Sequence, residues 1–306
     1  MKLAVTSPSF SKHPQLIEQV SLNFSKAKLN TEGIRLKDEA LFNYVKDSEA
    51  LIIGLENFDQ KLLERLPKLK VIAKYGVGLD NVDLEYCKNH NIHIAWKGGV
   101  NRLSVAELAL GFMLALGHNF YQSSNLLKQG TWKKDGGFQL SNKVVGIIGV
   151  GHVGKELIRL LKPFQCKVLV NDIIEQEDYY NKNKLIVASK EEIYQNADII
   201  SLHTPLNGDT FEMINQQSME LMSDQTILIN TARGNLINLD SLENALFENK
   251  ILGAAIDVYD QEPPKRSRLL SHPNLINTPH IAGNAKEAVL AMGTQAILGL
   301  KDFYES

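Results

Sequence analysis

The stretch Lys143–Lys155, KVVGIIGVGHVGK, decides the fold of the domain that contains it. Its apolar, β-branched run Val144–Ile148 predicts a strand buried on both faces of a parallel sheet. Gly149, Gly151 and Gly154 follow at GxGxxG spacing. One glycine permits a tight turn, one lets backbone amides approach a pyrophosphate, and one lets the next helix pack closely on the strand. The stretch therefore predicts a dinucleotide site.

The residues after this turn continue the pattern of a nucleotide-binding βαβ unit. A helix is expected to begin near His152 and to point its amide end at the phosphates, and a second strand, Lys167–Val170, follows it. Asp172 comes after that strand, at about the separation where an acidic residue meets the adenosine ribose. Ile173 and Ile174 supply no cation for a 2′-phosphate, so the sequence predicts NAD rather than NADP.

Length and composition limit the class of protein. With 306 residues the chain exceeds the roughly 250–300 residues at which a single core stops growing, so two domains are expected. Apolar residues make up 44% and charged residues 22%, and the net charge of −2 comes with scattered basic residues, which argues against nucleic acid as a partner. No membrane-spanning run or signal core is visible, and the cysteines Cys87 and Cys166 lie far apart. We therefore expect a cytoplasmic protein without membrane contact.

Short apolar runs alternate with amphipathic segments along the chain, which predicts βα units around parallel sheets. Polar and glycine residues repeatedly fall just after the predicted strands of the second half. In an open parallel sheet, ligands bind at the carboxyl ends of the strands, so these residues are expected at one edge. They are Asp172, Thr204, Pro205, Thr231, Ala232, Arg233, Gly234, the segment 257–262 and His280.

Three residues of this group combine a fixed cation, a carboxylate and an imidazole. Beside a nicotinamide, Arg233 can polarise an oxygen and anchor a carboxylate, while His280 with Glu262 can move a proton. Each also has a purely structural interpretation. Arg233 is then a surface charge, Glu262 opens the Glu-Pro-Pro turn, and His280 is a strand-end histidine in the core.

Two further patterns lie in the first hundred residues. A Gly-Val-Gly at 76–78 follows the strand Val71–Lys74 but has Asn81 where a third glycine would be needed, so it is either a tight turn or a backbone site for a small anion such as a carboxylate. Cys87, His90 and His93 have metal-like spacing, but they straddle a helix end and a strand start. No metal is predicted.

The long apolar segment 105–116 predicts a helix, and Ser104 three residues before Glu107 has the pattern of a capping box at its start. Such a helix belongs to a core or to a subunit interface. Composition does not separate the two possibilities.

From Val71 to Gly283 the sequence resembles the D-isomer-specific 2-hydroxyacid dehydrogenases, in particular their phosphoglycerate dehydrogenase-like branch. The strings that carry the resemblance are YGVGLDNVD, NRLSVAELALG, GIIGVGHVGKE, HTPLN, INTARG, DVYDQEPP and HPNLINTPHIAG. The resemblance implies an α/β fold of two doubly wound parallel-sheet domains with a cleft between them. A Rossmann NAD-binding domain at 99–282 is inserted in a flavodoxin-like substrate domain at 1–98 and 283–306.

The family's functional residues carry over by position. The resemblance implies that Arg233 binds the substrate carboxylate and carbonyl, that His280 is the acid/base, and that Glu262 holds and tunes it. It also implies that Asp257 contacts the nicotinamide amide and that the Val77 and Gly78 amides hold the carboxylate. The expected cofactor-binding residues are Gly149, Gly151, His152, Val153, Gly154, Asp172, His203, Thr204, Pro205, Thr231, Ala232, Arg233, Asp257, His280 and Gly283. The expected substrate-binding residues are Lys74, Tyr75, Gly76, Val77, Gly78, Asn101 and Arg233.

One departure from the family concerns the substrate. Lys97-Gly98-Gly99 replaces the usual Thr-Pro-Gly, and Lys74, Lys97 and Arg102 together offer three cations beyond Arg233. We therefore expect a small 2-oxo or 2-hydroxy acid with a second anionic group, such as 3-phosphohydroxypyruvate, with hydroxypyruvate or glyoxylate as the alternative.

The resemblance further implies a homodimer formed through the nucleotide domain and closure about hinges near Gly98-Gly99 and Gly283. Two rival functions remain open. One is an NAD-sensing binding protein of the corepressor type, and the other is a formate-type dehydrogenase, which is expected to have glutamine in place of Glu262.

Overall fold

The computed structural model describes residues 2–305, which fall into two compact units. Unit 1 runs to Asn101 and resumes at Asn284, and unit 2 comprises Arg102–Gly283. The sequence predicts the two crossings at 98/99 and 282/283. The observed divisions are therefore three residues and one residue further along the chain.

Twelve strands occur in residues 2–305, and most are short apolar runs of the kind that central parallel strands require. They are β1 Leu3–Val5, β2 Lys28–Leu29, β3 Ala50–Ile53, β4 Val71–Lys74, β5 His93–Ala95, β6 Val144–Ile148, β7 Lys167–Asn171, β8 Ile186–Val187, β9 Ile199–Leu202, β10 Ile227–Asn230, β11 Gly253–Ile256 and β12 Leu275–Asn277.

Fourteen α-helices lie in the same described part. They are α1 Pro8–Ser11, α2 Pro14–Asn23, α3 Asp38–Val45, α4 Gln60–Leu63, α5 Leu84–Asn89, α6 Arg102–Gly117, α7 Phe120–Lys128, α8 His152–Leu161, α9 Glu177–Asn183, α10 Lys190–Asn196, α11 Gln216–Glu220, α12 Leu239–Phe247, α13 Ser267–Leu270 and α14 Lys286–Glu305. Short 3₁₀ turns lie at Lys162–Phe164 and Gly234–Leu236.

Unit 1 is built on a five-stranded parallel sheet in the order β2-β1-β3-β4-β5. This 2-1-3-4-5 order is that of the flavodoxin-like doubly wound fold. The last helix, α14, returns to this unit and packs against α2 and β4, with Ala296, Ile297 and Leu300 in the core. The predicted flavodoxin-like fold is confirmed.

Unit 2 is built on a seven-stranded parallel sheet in the order β12-β11-β10-β9-β6-β7-β8. Counted from β6, six of these strands reproduce the 3-2-1-4-5-6 order of the Rossmann fold, and β12 extends the sheet by one strand. The strand order reverses at β6, beside β9. Such a switch point opens a crevice at the carboxyl edge, where dinucleotides bind.

The strand β6 is buried on both faces, as its sequence predicts. Ile147 and Ile148 are at most 1% exposed, and they belong to the two different cores on opposite faces of the sheet. Burying each side chain stabilises the fold by about 1.5–3 kcal/mol. The apolar run therefore fixes β6 at the centre of the sheet and the glycine turn at its carboxyl edge.

The helix α6 begins at Arg102, so Ser104 is its third residue rather than its cap. The Ser104 hydroxyl donates instead to the Ala282 carbonyl oxygen at 2.5 Å. The predicted capping box at Ser104 is therefore wrong, because a tertiary hydrogen bond uses the hydroxyl that the local pattern assigns to a cap.

Among the helices described, none alone is both long and apolar enough to cross a membrane. Length and composition would admit only the pair α6 and α7 taken together, which is bent by 65°.

The three residues with metal-like spacing contact different partners. Cys87 lies in the core of unit 1, and burial raises the pKa of its thiol to about 11. His90 stacks on Tyr86 with ring centroids 3.8 Å apart, and His93 stacks on Phe303 at 5.1 Å. Each side chain thus has a packing role.

Candidate functional site

The turn after β6 has the conformation that a dinucleotide site requires. Gly149 has φ +100°, and a Cβ there would lie 2.6 Å from the His203 backbone. A Cβ at Gly154 would lie 2.1 Å from the Gly149 carbonyl oxygen, so any side chain would force α8 away from the sheet. The first and third glycines therefore bring the turn, the helix and the end of β9 together.

The start of α8 is open. Gly151 is the N-cap and supplies no side-chain hydrogen bond, and a Cβ at this position would meet no atom within 4 Å. His152 is exposed, while Val153 packs against the core. The first N–H groups of this ten-residue helix can therefore face an anion, which the helix dipole favours.

Asp172 follows β7 and lies at the same carboxyl edge. Its Oδ2 accepts from the Val150 N–H at 2.5 Å, and its Oδ1 accepts from the Ile174 N–H at 2.8 Å. A carboxylate offers about four acceptor positions, so two hydroxyl groups of a ribose can still be bound. Ile173 beside it is 92% exposed and carries no charge.

Two threonines beyond β9 and β10 indicate a ligand at this edge. The Thr204 and Thr231 hydroxyl oxygens are buried and have no hydrogen-bond partner in the part of the chain that the structure describes. Buried polar atoms are normally paired, so an unpaired hydroxyl has a desolvation cost that a ligand can offset. Together with the glycine turn and the open helix start, these hydroxyls fit a dinucleotide cofactor.

His203 precedes Thr204, and its Nε2 lies 2.9 Å from the Ser201 hydroxyl. Burial lowers the pKa of the His203 imidazole to about 4, so the ring is neutral at pH 7. Pro205 contributes its carbonyl oxygen to the Thr210 hydroxyl at 2.8 Å, which closes the same loop. His203 therefore shapes the nucleotide edge as a neutral group.

The loop after β10 that carries Arg233 is held by Asn230, a residue that the sequence interpretation did not select. The Asn230 side chain is fully buried, donates to the Arg233 carbonyl oxygen at 2.8 Å and accepts from the Ala232 N–H at 3.0 Å. The Arg233 guanidinium donates to the Ala232 carbonyl oxygen at 2.7 Å. A polar residue in the last position of a buried strand was the signal that could have identified Asn230.

Glu262 and His280 form a close pair. The His280 Nδ1 lies 2.9 Å and 3.0 Å from the two Glu262 carboxylate oxygens, and both side chains are about half exposed. The Tyr259 N–H donates to Glu262 Oε1 at 3.3 Å and helps to orient the carboxylate. This arrangement fixes the orientation of the imidazole and leaves Nε2 as the ring nitrogen that can exchange a proton with a ligand.

Asp257 holds the loop that carries His280. Its carboxylate is fully buried and accepts from the Thr278 hydroxyl at 2.6 Å and from the Ile281 and Ala282 N–H groups at 2.8 Å. His280 has φ +54°, a conformation that disfavours residues other than glycine, and its N–H donates to the Asp257 carbonyl oxygen at 2.9 Å. Asp257 thus anchors this loop, and its expected contact with the nicotinamide amide stays a prediction.

In unit 1, the segment 75–78 follows β4. The Tyr75 N–H donates to the Ile53 carbonyl oxygen. The Tyr75 ring packs edge-on against the Phe10 ring, with centroids 5.3 Å apart. Among the described residues, neither the Val77 N–H nor the Gly78 N–H donates a hydrogen bond. Two adjacent unpaired amides favour the anion-binding interpretation of this loop over a simple turn.

Two of the three additional cations make polar contacts within their own units. Lys74 is only 6% exposed, and its ammonium donates to the Gly54 carbonyl oxygen and, at 2.6 Å, to Asn81 Oδ1. The Arg102 Nε forms an ion pair with Glu156 Oε2 at 3.3 Å. Lys97 is exposed and makes no ion pair with a described residue. A surplus of three cations is therefore not observed.

The remaining predicted residues lie at the unit boundaries. Asn101 is the last residue of unit 1 before the first crossing, and Gly283 is the last residue of unit 2. Both are half-buried. Their predicted contacts with substrate and cofactor stay predictions.

Comparison with known proteins identifies the domain built around this site. A family model described as the NAD binding domain of D-isomer specific 2-hydroxyacid dehydrogenases matches residues 110–282. This range contains the glycine turn, Asp172, Arg233, Glu262 and His280. The resemblance that rests on the sequence strings is confirmed.

Similar proteins carry related names. The chain is 34% identical to a D-3-phosphoglycerate dehydrogenase of Methanocaldococcus jannaschii, over 96% of this chain but 56% of that protein, so it spans about half the length of this relative. It is 31% identical to a hydroxypyruvate reductase of Thermotoga maritima over 92% of each chain. The crystal structure of the Aquifex aeolicus D-lactate dehydrogenase complexed with NAD and lactic acid is similar, with a TM-score of 0.87, 26% identity, and coverage of 100% of this chain and 96% of that one.

Proposed function

This chain belongs to the D-isomer specific 2-hydroxyacid dehydrogenase family, and from that membership we propose that it interconverts a small 2-hydroxy acid and its 2-oxo acid with NAD(H). The observation that carries the proposal is the hydrogen bond between His280 Nδ1 and Glu262 Oε2, which are 2.9 Å apart. This pair lies on the sheet edge of unit 2 that also bears Arg233 and the glycine turn. A proton-transfer group and a fixed cation thus accompany a nucleotide site.

In reduction, bound NADH supplies the hydride. Arg233 polarises the 2-oxo group and stabilises the charge that develops on its oxygen. His280 gives a proton to that oxygen, and its Nδ1 stays hydrogen-bonded to Glu262, which holds the ring in position. In oxidation the neutral imidazole accepts the hydroxyl proton.

We assign the substrate carboxylate to the Val77 and Gly78 amides of unit 1. The two amides have no hydrogen-bond acceptor among the described residues, which supports an anionic ligand. Backbone N–H groups form charge-assisted hydrogen bonds with carboxylates. This assignment accounts for the acid function that all proposed substrates share.

For the rest of the substrate we propose an unphosphorylated 2-oxo acid such as hydroxypyruvate or glyoxylate. Lys74 is buried and hydrogen-bonded to Gly54 and Asn81, and Arg102 pairs with Glu156, so Lys97 is the remaining cation for a second anionic group. The second candidate is 3-phosphohydroxypyruvate. The 34% identity to a D-3-phosphoglycerate dehydrogenase and the position of Lys97 after β5 support it.

The ratio of kcat/KM for phosphohydroxypyruvate over hydroxypyruvate, followed by NADH absorbance, tests this proposal. We expect a ratio of one or less in the wild type. Lys97→Ala, a change at an exposed side chain, should leave it unchanged. A tenfold preference for the phosphorylated acid, about 1.4 kcal/mol, that is lost in Lys97→Ala would favour the second candidate. Absence of turnover with every 2-oxo acid would favour a binding protein of the corepressor type.

We also propose that the chain forms a homodimer through α7. The buried residues of α6 include Ala106, Ala109 and Met113, so α6 contributes to the core of unit 2. By contrast, α7 has no buried residue, and Phe120 and Leu127 on it are each 55% exposed. A second copy could cover these apolar side chains.

Light scattering at micromolar concentration is expected to give twice the chain mass of 34.2 kDa. Leu127→Glu should shift the mass toward a single chain, because burying an unpaired charge in an apolar interface costs free energy. Leu22→Glu, at an 80% exposed leucine of unit 1, is the matched control and should remain dimeric. A single-chain mass for the wild type would contradict the dimer.

A further inference from the structure

We infer that Trp96 is a positioning residue that aims a backbone amide at the substrate carboxylate. The inference rests on the proposed function, in which the Val77 and Gly78 amides bind that carboxylate. Trp96 follows β5 directly, and its indole Nε1–H donates to the Val77 carbonyl oxygen at 2.9 Å. Since β4 and β5 are neighbours in the sheet, this hydrogen bond joins the loops at their two carboxyl ends.

The geometry of one peptide unit links this hydrogen bond to the anion site. The Val77 carbonyl and the Gly78 N–H belong to the same planar trans peptide, so they point in opposite directions. When the indole holds the carbonyl on one side, the N–H must point to the other. Trp96 therefore sets the direction of an amide that donates to no described group.

The glycines around the hydrogen bond between Trp96 and Val77 explain why this hydrogen bond matters for the anion site. Glycines at 76, 78, 98 and 99 leave both loops with wide backbone freedom, which disfavours a preorganised anion site. A tryptophan side chain has only two rotatable bonds and therefore immobilises a loop at low entropic cost. Trp96 is 45% exposed, so its N–H could bond to water, yet it bonds to Val77. The indole thus supplies the rigidity that the glycines lack.

Trp96→Phe keeps an aromatic ring but removes the N–H donor. We expect KM for hydroxypyruvate or glyoxylate to rise about tenfold, while kcat and the Kd for NADH stay unchanged, because the carboxylate is bound equally in the ground and transition states. Trp132→Phe, at a residue that is 77% exposed, is the matched control and should behave as wild type. Equal KM values for Trp96→Phe and wild type would overturn the inference, and a loss confined to kcat would do so too.

Two binding measurements test the inference without turnover. By calorimetry in the presence of NAD⁺, oxamate should bind Trp96→Phe about tenfold more weakly than wild type. In Trp132→Phe, Trp96 is the sole tryptophan, and its single ¹⁵N-indole resonance should shift when oxamate binds. Equal affinities, an unshifted resonance or no oxamate binding by wild type would overturn the inference. A wild type that binds oxamate as expected but turns over no 2-oxo acid would contradict the proposed function alone.

Discussion

Replacing His280 by alanine should lower kcat for reduction of a 2-oxo acid by about 10²- to 10⁴-fold, the usual contribution of a positioned general acid. The His280 Nδ1 lies 2.9 Å from Glu262 Oε2, and this hydrogen bond holds the imidazole in place. NADH binding should change little, because the hydrogen bonds that hold the glycine turn and Asp172 do not involve His280. Stopped-flow kinetics and fluorescence titration of NADH measure the two effects.

The backbone at His280 requires a matched control. Its φ of +54° is unfavourable for alanine, whereas asparagine tolerates this region and cannot act as an acid. His280→Asn should therefore lose as much activity as His280→Ala while keeping the loop conformation. A loss of less than tenfold in the asparagine variant would exclude His280 as the proton donor.

A substitution at Glu262 separates its effect on proton transfer from its effect on packing. Glu262→Gln keeps the side-chain size but removes the negative charge beside the His280 imidazole. Because the carboxylate charge then no longer assists the hydrogen bond at His280 Nδ1, kcat for reduction should fall about tenfold while the Kd for NADH stays unchanged. An unchanged kcat would remove Glu262 from the proton-transfer step.

Wild-type protein should use NADH in strong preference to NADPH, and a double variant at Asp172 and Ile173 should relax this preference about 100-fold, which corresponds to roughly 2.7 kcal/mol. The Asp172 carboxylate would accept hydrogen bonds from ribose hydroxyls and repel a 2′-phosphate. In Asp172→Ala/Ile173→Arg the repulsion disappears, and an arginine at a 92% exposed position can pair with the phosphate. The ratio of kcat/KM for the two cofactors is the measurement.

Single variants control for damage to the turn, because Asp172 also accepts from the Val150 and Ile174 N–H groups. Asp172→Asn keeps an acceptor for one of these two amides while removing the charge, so it should perturb the turn less than Asp172→Ala and lose part of the preference. Ile173→Arg alone should remain selective for NADH, since Asp172 would neutralise the new cation. Comparable use of NADPH and NADH by the wild type would show that Asp172 does not bind the ribose.

Features that depend on local sterics and periodicity can be predicted from the amino-acid sequence. The run Val144–Ile148 and the glycine spacing predicted a central strand and a dinucleotide turn, because burial and steric limits act over a few residues. Parallel strands align their carboxyl ends, so residues following different strands were expected at one edge. Arg233, Glu262 and His280 lie at that edge of unit 2 for this reason.

The hydrogen-bond partner of each polar group depends on how the elements pack in three dimensions. Ser104 has the local pattern of a cap, but its hydroxyl bonds to Ala282, 178 residues away in sequence. The sequence places Lys74 at a strand end, and the structure shows that its ammonium donates to the Gly54 carbonyl oxygen and to Asn81 Oδ1. Trp96 was not selected at all. Such contacts join residues far apart in the sequence, and their geometry depends on how whole elements pack, which no local pattern encodes.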